Sequence, residues 1–438
     1  MAALTVLASA APGVAAVPQP EPTTLRVSVS SAQEQANERN SSSSISRGGR
    51  FVSFASRASN LVPGDTNAVD DVFIRDRFTA TTSRVSVSSS GAQGNAYSTG
   101  PATSGSGRYV AFVSAASNLV PGDTNGVPDV FVRDRLAATT TRVSVAASGA
   151  QGDAESTVPS ISYDGRFVAF SSFASNLVPG DTNGVPDVFV RDRLLGTTTR
   201  VSVSGAGAQG NGLSGFTSST ISGGGRYVIF YSVASNLVPE DTNGLADIFV
   251  RDRLLGTTSR VSVSSTGGQA DGASSGPAIS ADGRFVAFSS SASNLVSGDT
   301  NGAEDVFVRD LAAGVTRRVS VKPGDAQGNG PSNQPALSGD GRRVAFVSQA
   351  SNLVAGDTNA AEDVFLAGWW VGTTTRLSVS AEGAQADDGS NDPSIDYSGR
   401  SVSFTSFATN LVFGDTNGML DVFVVAAGRQ PGGGSQPW

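Results

Sequence analysis

Carboxylate and amide side chains recur together along this chain in the pattern Asp-x-Asn-x-x-x-Asp, and one copy consists of Asp181, Asn183 and Asp187. Calcium prefers oxygen ligands of these types and takes about six to eight of them. The pattern therefore makes calcium the candidate cofactor of a set of loops. The candidate metal ligands are Asp65, Asn67, Asp71, Asp123, Asn125, Asp129, Asp181, Asn183, Asp187, Asp241, Asn243, Asp247, Asp299, Asn301, Asp305, Asp357, Asn359, Asp363, Asp415, Asn417 and Asp421.

The same residue types also form Asx turns, in which the side chain bonds to nearby backbone. Calcium loops usually carry a further acidic or Asn ligand before their Gly, and the Gly is Ala68 and Ala360 in two copies. Fourteen carboxylates in one ring of loops repel each other unless something compensates them, and no Lys lies in these loops. Bound calcium and Asx turns are therefore alternative interpretations of one pattern.

Other chemistry is limited by composition. The 438 residues include no His and no Cys, which excludes a Ser-His-Asp triad, a Cys nucleophile and an ordinary zinc site. The net charge of −8 argues against nucleic acid as a partner, because phosphate binding needs a basic face.

Four glutamates break the regular pattern of the loops: Glu155, Glu240, Glu304 and Glu362. Glu240, for example, stands where the other six loops have a small residue. Two carboxylates at a suitable separation can act as an acid–base pair on a glycan. Scattered surface variation is the alternative explanation, because spacing along the sequence does not pair these residues.

The loops belong to a repeat. The Asp-Thr-Asn segments are 58 residues apart in five steps and 60 in one, which indicates seven copies of one structural unit. In the third copy the sequence predicts strands at 158–162, 166–171, 187–191 and 200–204, with a long loop between the second and third. The alternation in the last strand predicts that Arg200 faces solvent.

Four antiparallel strands per copy and no helical periodicity predict an all-β fold, a seven-bladed β-propeller of four-stranded antiparallel blades. The chain opens with a lone fourth strand at 25–30, and its last predicted strand, at 421–424, is a third strand. We therefore expect the N-terminal strand to complete the last blade and close the ring, which leaves no free edge.

The segments SxDGRFVAFSS and DVFVRD resemble the TolB-type, WD-like propeller repeat of bacterial envelope and secreted proteins. The resemblance covers residues 25 to 425. The propeller of prolyl-oligopeptidase-like enzymes is also similar, although their hydrolase domain has no counterpart here. The resemblance implies the fold and a role in binding, and it transfers no catalytic residue.

The predicted topology sorts charged residues between two faces. The tight turns collect Arg residues such as Arg166, for which Asp192 is the expected partner, because a six-residue strand of about 20 Å separates it from the long loops. The long-loop face collects the carboxylates. Trp369 and Trp370 replace an Arg-Asp-Arg segment, and we expect their side chains to point in opposite directions, with at least one ring exposed.

These observations predict three regions: an export signal or disordered leader at 1–22, the propeller at 23–427 and a flexible Gly/Pro tail at 428–438. The expected function is that of an exported, non-catalytic binding scaffold acting through its acidic long-loop face. The expected partner is a protein or a glycan, without nucleic acid or a transmembrane segment, and the expected state is a monomer in the periplasm, cell envelope or medium. A polysaccharide-acting hydrolase or lyase and a structural envelope component are the alternatives.

Overall fold

The computed structural model describes residues 23–427, and the expectations for 1–22 and 428–438 lie outside these residues. The described chain forms seven four-stranded antiparallel sheets, each one blade of a closed propeller, as predicted. Between residues 23 and 427 there is no helix long and apolar enough to cross a membrane.

Each blade contributes four strands, ordered from the central channel outward. The inner strands are β2 (Asn40–Ile45), β6 (Ser98–Thr103), β10 (Ser156–Ile161), β14 (Ser214–Ile221), β18 (Ser274–Ile279), β22 (Ser332–Leu337) and β26 (Ser390–Ile395). The second strands are β3 (Phe51–Ser56), β7 (Tyr109–Ser114), β11 (Phe167–Ser172), β15 (Tyr227–Ser232), β19 (Phe285–Ser290), β23 (Val344–Ser348) and β27 (Ser401–Ser406). The third strands are β4 (Asp71–Asp76), β8 (Asp129–Asp134), β12 (Asp187–Asp192), β16 (Asp247–Asp252), β20 (Asp305–Asp310), β24 (Asp363–Gly368) and β28 (Asp421–Ala426). The outer strands are β1 (Thr23–Arg26), β5 (Thr81–Arg84), β9 (Thr139–Arg142), β13 (Thr197–Arg200), β17 (Thr257–Arg260), β21 (Val315–Arg318) and β25 (Thr373–Arg376).

The core lies between blades. In the third blade Phe170 and Phe189 stack with ring centroids 5.9 Å apart and pack toward the second blade, while Ala169 and Val188 pack toward the fourth. Both faces of the second and third strands are therefore covered, which explains why their apolar residues run consecutively instead of alternating. The same phenylalanine pair occurs in all seven blades.

The N-terminal strand closes the ring as expected. Strand β1 pairs antiparallel with β28, so the seventh blade has the order β1-β28-β27-β26. The Ser28 hydroxyl then donates to the Asp421 carboxylate across the junction at 2.6 Å. The first residues of the described chain thus supply both a strand and polar contacts to the last blade.

The outer strands differ from the prediction. Strand β13 ends at Arg200, whereas the sequence pattern placed the strand at 200–204. Beyond Arg200 the Val201 N–H still donates to the Val188 carbonyl of β12 at 2.8 Å, and Val203 forms an isolated bridge with Gln209. The expectation that Arg200 faces solvent is wrong, because its side chain turns into the long loop of its own blade and is only 11% exposed.

Candidate functional site: the long-loop face and the channel mouth

The predicted metal ligands come together in each blade, and an arginine lies between their carboxylates. In the third blade Arg200 Nη1 is 3.1 Å from Asp181 and 3.2 Å from Asp187. Both carboxylates are almost fully buried. A guanidinium therefore occupies the position between the two acidic side chains that the sequence assigned to calcium.

Neutral side chains complete the polar network around Asp187. One carboxylate oxygen accepts a hydrogen bond from the Ser202 hydroxyl, and the other accepts bonds from the amides of Asn183 at 3.1 Å and Gln209 at 3.4 Å. The Asn183 amide also donates to the Gly210 carbonyl at 3.0 Å. Asn183 thus acts as a donor here, whereas a calcium ligand has to present its oxygen.

The arrangement repeats in every blade, with one arginine between the two carboxylates of each loop. The arginines are Arg26, Arg84, Arg142, Arg200, Arg260, Arg318 and Arg376. The sequence pattern predicts arginine on the tight-turn face and does not indicate this second ring on the long-loop face. The long-loop carboxylates are therefore partly compensated by the chain itself, which weakens the electrostatic argument for bound calcium.

Burial shifts the titration of these carboxylates. Desolvation raises the pKa of Asp187 above its ordinary value, more than the Ser202 hydrogen bond and the Arg200 charge lower it. Desolvation also raises the pKa of Asp181, and the neighbouring Asp187 charge adds to that rise. The Arg200 charge therefore offsets part of the cost of burying the two carboxylates.

Calcium binding by the loops stays a prediction. In the part of the chain that the structure describes, no group of three or more acidic side chains has the geometry to hold a metal ion. An ion entering the third-blade loop would have to displace the Arg200 guanidinium and turn the Asn183 amide. The polar side chains of this loop already bond to one another.

The tight-turn face carries the ion pairs expected from the sequence. Arg166 lies 2.7 Å from Asp192, and four other blades repeat this pair. In the second blade the hydrogen bond from Arg108 lowers the pKa of Asp134 to about 2. The sixth and seventh blades lack the pair, because Gly368 and Ala426 replace the aspartate.

The tryptophans of the sixth blade differ from the expectation. Strand pairing aligns Ala367-Gly368-Trp369 with the Arg-Asp-Arg segment of the other blades. Trp369 takes the place of the last arginine and donates from Nε1 to the Gly341 carbonyl at 3.0 Å. The two rings stack with centroids 4.4 Å apart, because both residues lie in the turn after β24 rather than on a strand. Trp370 is 53% exposed, as expected for one of them.

The tight-turn end of the central channel is closed. Backbone hydrogen bonds run from blade to blade around it, for example from Gly105 to Tyr163 and from Tyr163 to Gly223. The Tyr163 ring crosses toward the sixth blade, where a β-carbon at Gly339 would collide with its hydroxyl. Arg47 lies over the ring of Tyr397, and burial raises the pKa of Tyr163 to about 12. Access to the channel is therefore from the long-loop face.

The side chains around the open mouth vary, although their backbone positions are constant. In each blade the residue after the second strand donates its N–H to the carbonyl of the residue before the inner strand, as Phe173 does to Glu155 at 3.0 Å. We call these seven pairs the long-loop rim. They are Arg57 with Arg39, Ala115 with Tyr97, Phe173 with Glu155, Val233 with Leu213, Ser291 with Ala273, Gln349 with Pro331 and Phe407 with Gly389.

Exposed aromatic residues lie at this rim and beside it. Phe173 is 40% exposed and packs edge-to-face on Phe216, which is 49% exposed, with ring centroids 5.9 Å apart. Phe216 comes from β14, which contains two residues more than the other inner strands. This insertion is the reason for the single 60-residue step. That step was the sequence signal that could have located Phe216 before the structure.

The glutamates singled out from the sequence do not form one cluster. Glu304 lies beside the inner strands, where Ser275 donates to its carboxylate at 3.3 Å and burial raises its pKa. Glu362 instead accepts a bond from the exposed Gln349 at 3.1 Å. Glu240 occupies a left-handed turn position with a φ of 57°, and Glu155 contributes its carbonyl to the rim.

The chain matches no family model, and no curated protein is significantly similar to it. Solved structures share the fold. The β-propeller domain of the Trilobed protease from Pyrococcus furiosus is 11% identical, with a TM-score of 0.55 over 90% of this chain and 96% of that one. An oligogalacturonate lyase in complex with manganese is 12% identical, with a TM-score of 0.54 over 89% of each chain.

TolB proteins are also among the solved structures that match this chain. TolB from Acinetobacter baumannii is 16% identical, with a TM-score of 0.42 over 77% of this chain. The match spans 63% of that TolB chain. At these identities the similarities show the fold alone.

Proposed function

We propose that this protein is an exported, non-catalytic scaffold that binds a partner protein at the long-loop rim. The proposal rests chiefly on the exposed, touching rings of Phe173 and Phe216 at the open mouth of the channel. Contiguous exposed apolar side chains are typical of interaction sites, whereas single exposed apolar side chains are ordinary. An exported location is proposed from the sequence and from the TolB-type resemblance.

The chemistry of the rim favours a polypeptide. The rim pair of the fourth blade, which also contributes Phe216, is Leu213 and Val233, so aliphatic residues lie in the same blade as one of the two aromatic rings. An apolar patch of this kind offers few hydrogen bonds to the hydroxyl groups of a glycan, whereas it suits apolar side chains of a protein. The surrounding loops support this surface rigidly through their buried Asp–Arg networks.

The partner is identified by a photo-crosslinking amino acid placed at Phe216. The matched control carries the same group at Phe78, which is also exposed but lies in a tight turn between β4 and β5. We expect one protein to be captured at position 216 and not at position 78. Equal capture at both positions, or capture of a glycan, contradicts the proposal.

A polysaccharide-acting enzyme is the second candidate, and Glu304 favours it. Its raised pKa and its place beside the inner strands suit a general acid. The oligogalacturonate lyase that shares this fold acts on a polysaccharide fragment, which motivates oligogalacturonate as the first substrate to test. Turnover by the unmodified protein that is lost in Glu304→Gln would establish this alternative. Equal turnover by the unmodified protein and the variant would rule it out.

A further inference from the structure

Five blades carry an arginine on the third strand that inserts between that blade and the preceding one. In the third blade Arg191 Nη1 donates to the Ala146 carbonyl at 3.2 Å and to the Thr198 hydroxyl at 3.0 Å. The equivalent residues are Arg75, Arg133, Arg251 and Arg309. In these five blades, the space beside the preceding blade therefore accommodates a guanidinium group.

The first blade adds a third acceptor. Arg75 Nη2 lies 3.0 Å from Gln33 Oε1, in addition to its bonds to the Ser30 carbonyl and the Thr82 hydroxyl. Gln33 adopts a left-handed conformation with a φ of 69° in the connection from the preceding blade. The guanidinium there is held by one carbonyl, one hydroxyl and one side-chain oxygen.

The sixth blade keeps the acceptors and lacks the arginine. Ala367 stands at the arginine position, while Lys322 and Thr374 are the counterparts of Ser30 and Thr82. The counterpart of Gln33 is Asp325, whose φ of 65° matches it closely. A carboxylate residue therefore stands at the position of the third acceptor in this blade. Among residues 23–427, Asp325 forms no ion pair.

A cleft of about 280 Å³ results between the fifth and sixth blades. Its lining includes Asp325, Ala367, Trp369 and Thr374. The Trp369 ring is fixed by its bond to the Gly341 carbonyl and by stacking on Trp370. The cleft thus combines a carboxylate with an indole wall, and a guanidinium can bind to both.

We propose that this cleft binds the arginine side chain of a partner polypeptide. The guanidinium takes the place that Arg191 and its four equivalents occupy in other blades, donates to Asp325, and packs against Trp369. Arg317 also lines the cleft, and its positive charge opposes the ligand. An anion would instead be attracted by Arg317, so removal of this charge separates a site for a cation from a site for an anion.

Binding is measured by isothermal titration and tryptophan fluorescence with an arginine blocked at both ends by acetyl and amide groups. The neutral isostere citrulline, blocked in the same way, is the control for charge, and blocked lysine is the control for planarity. We expect blocked arginine to bind at least about tenfold more tightly than either, the ordinary size of one charge-assisted hydrogen bond. Equal affinity for citrulline overturns the proposal.

Three variants test the site. Ala367→Arg restores the side chain of the other blades and should abolish binding. Asp325→Asn should weaken binding about tenfold or more, and it tests the site even if the first variant folds poorly. Arg317→Ala should strengthen binding. Weaker binding in Arg317→Ala, or unchanged binding in Asp325→Asn, overturns the proposal, as does tighter binding of free arginine than of the blocked form.

Discussion

The Arg200 guanidinium lies 3.1 Å from the Asp181 carboxylate, although the whole of strand β12 separates the two residues in the chain. The end of the fourth strand therefore places an arginine beside the loop that precedes the third strand. This contact accounts for the regular spacing of acidic and basic residues along the repeat. The contact gives the loops a structural role in every blade. The surface that differs between blades is therefore formed by the variable residues of the long-loop rim.

Replacing Arg200 by Gln should destabilise the protein strongly. Removal of one partner from a buried ion pair leaves an uncompensated charge and costs about 3–5 kcal/mol. The free energy of unfolding is measured by denaturant titration. Arg166→Gln is the matched control, because its pair with Asp192 lies on the tight-turn face and is more exposed. A loss in Arg200→Gln no larger than in Arg166→Gln would contradict this role of the buried network.

Calcium should leave the melting temperature of the unmodified protein unchanged, because Arg200 and its equivalents already lie between the carboxylates. A ligand bound only by the native state adds about 2.7 kcal/mol of stability at a hundredfold excess over its dissociation constant. Melting curves with millimolar calcium and with chelator test this directly. A rise of several degrees that is lost in Asp181→Asn would establish the calcium prediction made from the sequence.

Acid should remove the contribution of the tight-turn ion pairs. Asp134 has a folded-state pKa of about 2, below its ordinary value of 3.8, so its pair with Arg108 stabilises the fold above pH 4. That contribution is lost as the pH falls through about 2. We expect the stability difference between the unmodified protein and Asp134→Asn to shrink over this range. The exposed Glu34→Gln variant is the control, and a difference independent of pH would argue against the ion pair.

Removal of residues 1–31 should destabilise the seventh blade, because β28 would lose β1 and both Asp415 and Asp421 would lose Arg26. An unpaired strand edge also promotes association between molecules. The control is removal of residues 1–22, which leaves β1 in place. Thermal unfolding and light scattering compare the two proteins. Identical melting of both truncations would mean that β1 does not hold the ring closed.

Much of the fold was predictable from the sequence because the same signals recur seven times. Turn residues, apolar runs and the Asp-Thr-Asn spacing located the blades and the closing strand. The partners of the acidic loops were not predictable from the alternation in the outer strand, since Arg200 and Ser202 looked like residues of a solvent-exposed face. Both side chains are instead buried against the Asp181 and Asp187 carboxylates, a tertiary contact that the pattern of one outer strand does not show.

The candidate binding surface was harder to predict, because it lies where the repeat varies. A single sequence does not show whether Phe173 and Phe216 are packed inside a blade or exposed together at the rim. Only the two-residue insertion in β14 pointed to that blade. Likewise, the repeat pattern marked Trp369 as unusual. The cleft beside it exists because Ala367 replaces an arginine, and this replacement is visible only when strand pairing aligns the blades.

Binding of a protein at the long-loop rim is tested most directly by the affinity of the partner captured at Phe216. The dissociation constant is measured by calorimetry for the unmodified protein, for the double variant Phe173→Ser, Phe216→Ser, and for Phe78→Ser as control. We expect the double variant to lose at least about 2 kcal/mol of binding free energy, roughly a thirtyfold weaker affinity, because both rings are anchors at the interface. The control should bind normally. Equal affinities for all three proteins would contradict the account.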